Sequence, residues 1–249
     1  MFEDMDLALA QVDSTISGLY DSLDLIGVLL NGIIGGTIAR QRGYDIIGFL
    51  FLALFSALGG GMIRDMLIQQ GTVAAIDNQI YLALAFMGAL IAMAVNFKGK
   101  VWELFKVHGD AIVLGVWAVT GATKAMNAGV APLPSVFMGV LTAVGGGLVR
   151  DVVTGQTPSI FGGGTLYAIP ATLSATSMVI FHGLDHVVLG MIVSPLLGIS
   201  LAVLAYWCGW IIPVNTDFAP VNLTVSQLRT LLSKAERKGQ KEREKKDPT

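Results

Sequence analysis

The sequence predicts an all-α integral membrane protein that crosses the bilayer seven times, and three observations lead to this fold class. Of the 249 residues, 53% are hydrophobic and only 14% are charged, and the mean hydropathy is +0.68. An ordinary soluble domain carries about 25% charged residues. Long segments have no charge at all, and the two halves of the chain resemble each other. This composition excludes most soluble enzymes, nucleic-acid-binding proteins and disordered proteins.

The charge-free segments define the predicted spans. Twenty uncharged residues separate Asp77 from Lys98, and 33 separate Asp151 from Asp185. A helix of about 20 apolar residues crosses the hydrocarbon core. No cleavable signal peptide is expected, because the acidic N-terminus lacks a basic region. The seven predicted spans are residues 24–39, 46–67, 80–97, 110–126, 133–153, 167–181 and 187–212.

The distribution of lysine and arginine predicts the orientation. No Lys or Arg occurs in the first 23 residues, whereas Lys and Arg follow the first and third predicted spans. Eight of the 16 basic residues lie in the tail, residues 215–249. Because cytoplasmic loops carry an excess of Lys and Arg, we expect the N-terminal segment (1–21) outside and the tail in the cytoplasm.

The two halves of the chain are copies of one unit. A shift of 86 residues aligns 24–95 with 110–181 without a gap, giving 17 identities in 72 positions. Both copies contain Gly-Gly-Gly-x-x-Arg-Asp, at residues 59–65 and 145–151. We therefore interpret residues 22–97 and 98–183 as two repeats, followed by a seventh helix at 184–214.

The number of spans in each repeat predicts how the repeats are related. Three spans are an odd number, so the second repeat enters the membrane from the opposite side and is inverted relative to the first. Inverted repeats are typical of transport proteins, whose sites lie near the midplane at interrupted helices. The glycine blocks predict such interruptions in spans two and five, because glycine is a poor helix former. Close helix packing through small residues is the alternative.

Several polar residues in the predicted spans are candidates for a transport pathway. Charged residues are costly inside a membrane and often functional. The Arg-Asp pairs also suit anchors at helix ends. Each arginine can pair with its neighbouring aspartate or with the aspartate of the other half. Lys124 breaks the repeat because its counterpart is Ile38, which favours a pathway or gating role over an interfacial anchor. Small hydroxyls next to the glycines can replace water around a cation or bond back to the helix; carboxylates at span starts can serve the helix dipole. The candidates are Gly59, Gly60, Gly61, Gly145, Gly146, Gly147, Ser56, Thr142, Arg64, Asp65, Arg150, Asp151, Lys124, Asp24 and Asp110.

Other chemistry has little support in the sequence. His182 and His186 flank Asp185 at a spacing that suits a metal, but a third ligand is lacking, so no metal site is predicted. The single cysteine, Cys208, excludes an intramolecular disulfide. No catalytic motif indicates an enzyme, and no cofactor is expected.

These features together resemble the trimeric intracellular cation (TRIC) channels, especially their prokaryotic homologues. The resemblance covers residues 22–212 and rests on the paired glycine blocks, the two three-helix repeats, the seventh helix and the outside N-terminus. It implies a protein of the prokaryotic inner (plasma) membrane. It also implies a homotrimer with one pore per protomer between the second and fifth helices, and kinks in both helices at the glycine blocks. It also matches Lys124 to a basic residue tied to gating in animal members.

The leading functional prediction is a monovalent cation channel for K⁺ or Na⁺, in which lipid and the permeating ions are the partners and nucleic acid has no part. The resemblance also extends to bacterial relatives grouped as glycine transporters. A secondary transporter of a small amino acid such as glycine is therefore the alternative. The inverted repeat fits both functions.

Overall fold

Eight α-helices make up the part of the chain that the structure, a computed structural model, describes: residues 2–161 and 166–210, with side chains from residue 15 onward. The basic tail, Gly162–Gly164 and the acidic side chains of the first 14 residues lie outside that part. The helices are α1 (Phe2–Gln41), α2 (Ile46–Ile68), α3 (Ala74–Asp77), α4 (Gln79–Ala94), α5 (Lys100–Asn127), α6 (Pro132–Val153), α7 (Ala168–Gly183) and α8 (Val187–Cys208).

The protein is an all-helical integral membrane protein. Five helices are long and apolar enough to cross a bilayer: α1 from Thr15, α2, α5, α6 and α8. The apolar helix α4 and the helix α7 are shorter, at 16 residues each. Each of the seven predicted spans falls on a different one of these seven helices. The remaining helix, α3, is a single short turn between α2 and α4.

Two of the predicted helix starts are wrong. Asp24 and Asp110 lie in the middle of α1 and α5, which begin at Phe2 and Lys100. The charges before Asp110 do not end the helix, since Lys106 and Glu103 form an ion pair one turn apart at 2.9 Å. Such pairs stabilise a helix. The two aspartates are therefore not helix N-terminal carboxylates.

The predicted interruption of spans two and five is also wrong. The backbone of α2 is helical from Ile46 to Ile68, and that of α6 from Pro132 to Val153, straight through both glycine blocks. The glycines instead let the two helices touch. A Cβ atom added to Gly60 would lie 2.2 Å from the carbonyl oxygen of Thr142, and one on Gly146 would lie 2.3 Å from that of Ser56. The helices keep their own hydrogen bonds and gain backbone contact. The glycine blocks therefore serve the alternative that the sequence left open, close helix packing through small residues. A bend without a break stays a prediction.

Each repeat forms a group of three packed helices. In the first, α1 packs against α2 and α4; in the second, α5 packs against α6 and α7. The groups join where α2 meets α6 and α1 meets α5, and α8 packs on α5 and α7. Small residues permit this closeness: Ala85 and Ala89 on α4 are fully buried, and so are their counterparts Ala171 and Ala175 on α7.

Candidate functional site

The carboxylate of Asp65 is the centre of a buried cluster near the end of α2. The Arg64 Nε donates to Asp65 Oδ1 at 2.8 Å, and the Lys124 Nζ lies 2.8 Å from the same oxygen. The backbone N–H of Ala74 donates to Asp65 Oδ2 at 3.0 Å. Gln69 makes this geometry possible because its left-handed φ of 54° ends α2 and turns the chain back toward the cluster. Only 4% of the Asp65 side chain is exposed.

Asp151 has an equivalent arrangement near the end of α6. The Arg150 guanidinium contacts Asp151 Oδ1 at 2.9 Å, and the N–H of Ser159 donates to Oδ2 at 3.2 Å. Each arginine thus pairs with the aspartate that follows it, which decides between the pairings that the sequence left open. Asp151 has no counterpart of the Lys124 contact, because Ile38 occupies the equivalent position.

Two tyrosines hold the mid-helix carboxylates. The Tyr81 hydroxyl, at the start of α4, donates to Asp24 Oδ2 on α1. Tyr167, next to the start of α7, interacts in the same way with Asp110 on α5. These tyrosines are not among the candidates that the sequence predicts. The signal that could have found them is their identity at the 86-residue shift, which aligns Tyr81 with Tyr167.

A first cavity of about 330 Å³ lies beside the Asp65 cluster. Its charged lining consists of Asp21, Asp24, Arg64 and Lys124, of which the Lys124 side chain is 39% exposed. The predicted pathway residue Lys124 therefore faces both Asp65 and open space. The rest of the lining is Ser17, Tyr20, Ala74, Tyr81, Val119, Thr120, Thr123, Asn127 and Met191.

A second cavity of about 290 Å³ lies beside Arg150. Its charged lining is Glu103, Lys106, Asp110 and Arg150. The remaining lining residues are Ile34, Thr37, Ile38, Gln41, Trp102, Val107 and Gln156.

The two cavities lie at different levels along the same two helices. The first touches α1 at residues 17–24 and α5 at 119–127, and the second touches α1 at 34–41 and α5 at 102–110. With a rise of 1.5 Å per residue, their centres along α1 are roughly 25 Å apart. The four lining positions 34, 37, 38 and 41 match 120, 123, 124 and 127 at the 86-residue shift. The cavities are therefore equivalent products of the duplication.

The crossing of α2 and α6 is closed by the glycine contacts. The Thr142 hydroxyl donates to the Met138 carbonyl at 2.7 Å, so it bonds back to its own helix. Ser56 is 1% exposed, and its hydroxyl has no hydrogen-bond partner within the described residues. A smaller pocket of about 40 Å³ lies beside the Asp65 cluster and is lined by Asp24, Asp65 and Thr142 among others.

The histidine pair forms no metal site within the described ranges. The Nε2 of His182 lies 3.2 Å from Asn127 Oδ1, and no group of three potential metal ligands is found in residues 2–161 and 166–210.

Similarity to known proteins agrees with this architecture. A family model described as "Glycine transporter" matches residues 21–96 and again residues 108–183, so each repeat is matched once. A UPF0126 membrane protein of Deinococcus radiodurans is 36% identical over 154 residues, which is 61% of this chain and 72% of that protein. The UPF0126 inner membrane protein YadS of Escherichia coli is 35% identical over 141 residues, or 55% of this chain and 67% of that protein.

Solved structures with the same fold are channels. A structure described as the basis for conductance through TRIC cation channels has a TM-score of 0.72 and 29% identity, and the match covers 80% of this chain and 98% of that one. A TRIC trimeric intracellular cation channel orthologue from Rhodobacter sphaeroides has a TM-score of 0.71 and 26% identity, and covers 77% of this chain and 99% of that one.

The fold and the paired cavities thus define an integral membrane protein of the TRIC channel type. The chain belongs to the family whose model is described as "Glycine transporter", and its curated relatives are the bacterial UPF0126 membrane proteins. The predicted resemblance to prokaryotic TRIC homologues is confirmed.

Proposed function

We propose that the protein is a passive channel for monovalent cations, K⁺ or Na⁺, with one pathway in each protomer. The observation that carries this proposal is the pair of equivalent charged cavities at two levels along α1 and α5. Between these levels lie the α2–α6 crossing and the contact of Gly27 on α1 with Val113 and Trp117 on α5. A continuous pathway therefore needs both contacts to loosen.

The charged and polar residues of the site then take distinct roles. Asp24, Asp65, Asp110 and Asp151 favour cations over anions along the route. Arg64 and Arg150 brace the aspartates that follow them, and Lys124 closes the first cavity by neutralising Asp65. At the crossing, Ser56 and Thr142 would replace part of the cation's hydration shell as the glycine blocks part, as polar groups do in selective pores.

The topology we propose is seven membrane crossings in two inverted repeats, with the N-terminus outside and the C-terminus in the cytoplasm. The shorter helices α4 and α7, each about 24 Å long at 1.5 Å per residue, complete the two three-helix units. Single cysteines near Gln70 and near Gln156, introduced with Cys208→Ser, would be labelled from opposite sides of the membrane. Labelling of both from one side would contradict the inversion.

The assembly we propose is a homotrimer. Support comes from the Rhodobacter sphaeroides structure, which is described as a trimeric channel. The match covers 99% of that chain. Mass measurement of the purified protein in detergent would give three chains per particle, and a stable monomer would contradict the assembly.

Ion flux measurements test the function directly. Purified protein in a planar bilayer should show unitary currents carried by K⁺ and Na⁺ but not by Cl⁻. Empty vesicles carried through the same purification control for leak. Absence of cation current from folded, correctly assembled protein would contradict the proposal.

A carrier for a small amino acid such as glycine is the second candidate, and the description of the matching family model favours it. Two cavities that open in turn would also serve alternating access. Saturable uptake of labelled glycine into vesicles, together with silence in the bilayer, would decide for the carrier. Unitary currents without uptake would decide for the channel.

A further inference from the structure

The eighth helix contains a proline that leaves one backbone acceptor without its helical partner. Pro195 lies inside α8, which runs from Val187 to Cys208. Proline has no backbone N–H, so the carbonyl four residues earlier, that of Met191, loses its intrahelical donor. A backbone acceptor in lipid must be satisfied by some other group.

Tyr20 on α1 supplies that group. Its hydroxyl donates to the Met191 carbonyl oxygen at 2.5 Å, across 171 residues of sequence. Tyr20 is 9% exposed, and the bond itself is half-buried. The duplication does not explain the contact: the counterpart of Tyr20 is Lys106, which pairs with Glu103 on its own helix.

The bond lies in the wall of the first cavity. Tyr20 and Met191 both line that cavity, where Met191 is the contribution of α8. The helix α8 packs chiefly on α5 and α7 and touches α1 only lightly. On the α7 side it is well anchored, because the Ser194 hydroxyl bonds to that of Ser177 at 3.1 Å.

We propose that Tyr20 is a positioning residue that fastens α8 to α1 and so completes the wall of the first cavity, and that Pro195 serves to free the carbonyl it uses. The inference rests on the proposed function for its effect on flux. The position of α8, however, is measured independently of any transport.

The test is a distance measurement between α1 and α8 in the assembled protein. Spin labels on Leu19→Cys and Leu189→Cys, two exposed positions, are introduced with Cys208→Ser, and labelled chains are diluted with unlabelled ones. With Tyr20 present we expect one narrow distance distribution. Tyr20→Phe should add a population at longer distance, and Tyr44→Phe, which alters an exposed tyrosine outside the helices, should not.

Pro195→Ala makes the test specific. It restores an N–H to residue 195, so the Met191 carbonyl regains its helical donor and the Tyr20 hydroxyl then donates to an acceptor that is already paired. Pro195→Ala should therefore broaden the distribution in the same direction as Tyr20→Phe but by no more, and the double variant should add nothing to Tyr20→Phe. Additive effects, or an unchanged distribution in Tyr20→Phe, would overturn the proposal.

Flux through vesicles then tests the consequence for transport. Tyr20→Phe should lower K⁺ flux about fivefold, the factor expected for one net hydrogen bond. If the unaltered protein carries no ions, the channel function fails while the distance result stands. If it conducts and Tyr20→Phe changes the distances but not the flux, Tyr20 has no part in the pathway.

Discussion

The two cavities are built from equivalent residues but are held together differently. At the first, Asp65 binds Lys124 from the other repeat, and Gln70 Nε2 donates to the carbonyl of Ala128 at 3.0 Å, also across the repeats. At the second, the described hydrogen bonds of Asp151 come from its own repeat, from Arg150 and Ser159. Duplication supplied the shape of both cavities, and the contacts of Lys124 and Gln70 join the two repeats at the first one. The first cavity is therefore the natural place for a gate.

Removing the two central carboxylates should expose this difference most strongly. Asp65→Ala leaves two cations without a partner, whereas Asp151→Ala leaves one. Breaking a buried pair costs about 3–5 kcal/mol, so we expect that loss of unfolding free energy for Asp65→Ala and a smaller loss for Asp151→Ala. Thermal unfolding of the purified protein measures both. Equal losses would show that Lys124 adds nothing to the cluster.

Substitutions on the two sides of the α2–α6 crossing should cost the same stability, in contrast to the substitutions of Asp65 and Asp151. Gly60→Ala and Gly146→Ala each place a methyl group against a backbone carbonyl, at 2.2 and 2.3 Å. Overpacking costs about 1–3 kcal/mol, and we expect nearly the same loss in both variants. Gly61→Ala is the matched control, since the nearest atom to its added Cβ is an Arg64 nitrogen at 3.8 Å. Unequal losses at the two positions would contradict the structural equivalence of the repeats.

Lys124→Met should change transport more than stability. Because the lysine side chain is 39% exposed, its ion pair contributes no more than about 1 kcal/mol. Its loss leaves Asp65 with more negative potential facing the first cavity, so cation current in the bilayer should rise. Lys100→Met, at the start of α5, is the control. A fall in current would show that Lys124 supports the open state instead.

Ile38→Lys should make the second cavity resemble the first. Ile38 lines that cavity at the position equivalent to Lys124, and the new amine has water beside it. Because Ile38 is half-buried and packs against the hydrophobic core, we expect a loss of about 0.5–3 kcal/mol of unfolding free energy, together with a lower cation current. The double variant Ile38→Lys with Lys124→Met should move the narrowest charged point from the first cavity to the second. The ratio of the currents at positive and negative voltage should then invert relative to the unaltered protein. An unchanged current would place Ile38 outside the pathway.

Much of the fold could be predicted from the sequence because lipid imposes simple rules. Every predicted span falls on a helix, since a long uncharged segment has few other options in a bilayer. The starts of α1 and α5 could not be predicted from charge gaps. A charged turn such as Lys100–Lys106 continues a helix as readily as it ends one, because its charges pair along the helix surface.

The site was predictable in its members but not in its contacts. The repeat pointed to both Arg-Asp pairs, yet only the structure shows that Lys124 reaches Asp65, because that contact joins different repeats. The glycine blocks alone predict helix breaks, because glycine weakens an isolated helix. The partner helix decides the outcome, since its own glycines permit the close approach. Tyr81 and Tyr167 do not stand out in the sequence, because tyrosine near a helix start is also ordinary membrane-interface chemistry.

The contact between α2 and α6 has a mechanical consequence. Gly60 and Gly146 contact backbone atoms of the opposite helix, so few side chains would have to rearrange if one helix rotated on the other at this point. The end of α2 lies eight residues beyond Gly60, roughly 12 Å away at the helical rise. A rotation of about 10° at the crossing would move that end by roughly 2 Å, and Asp65, five residues beyond Gly60, by roughly 1.3 Å.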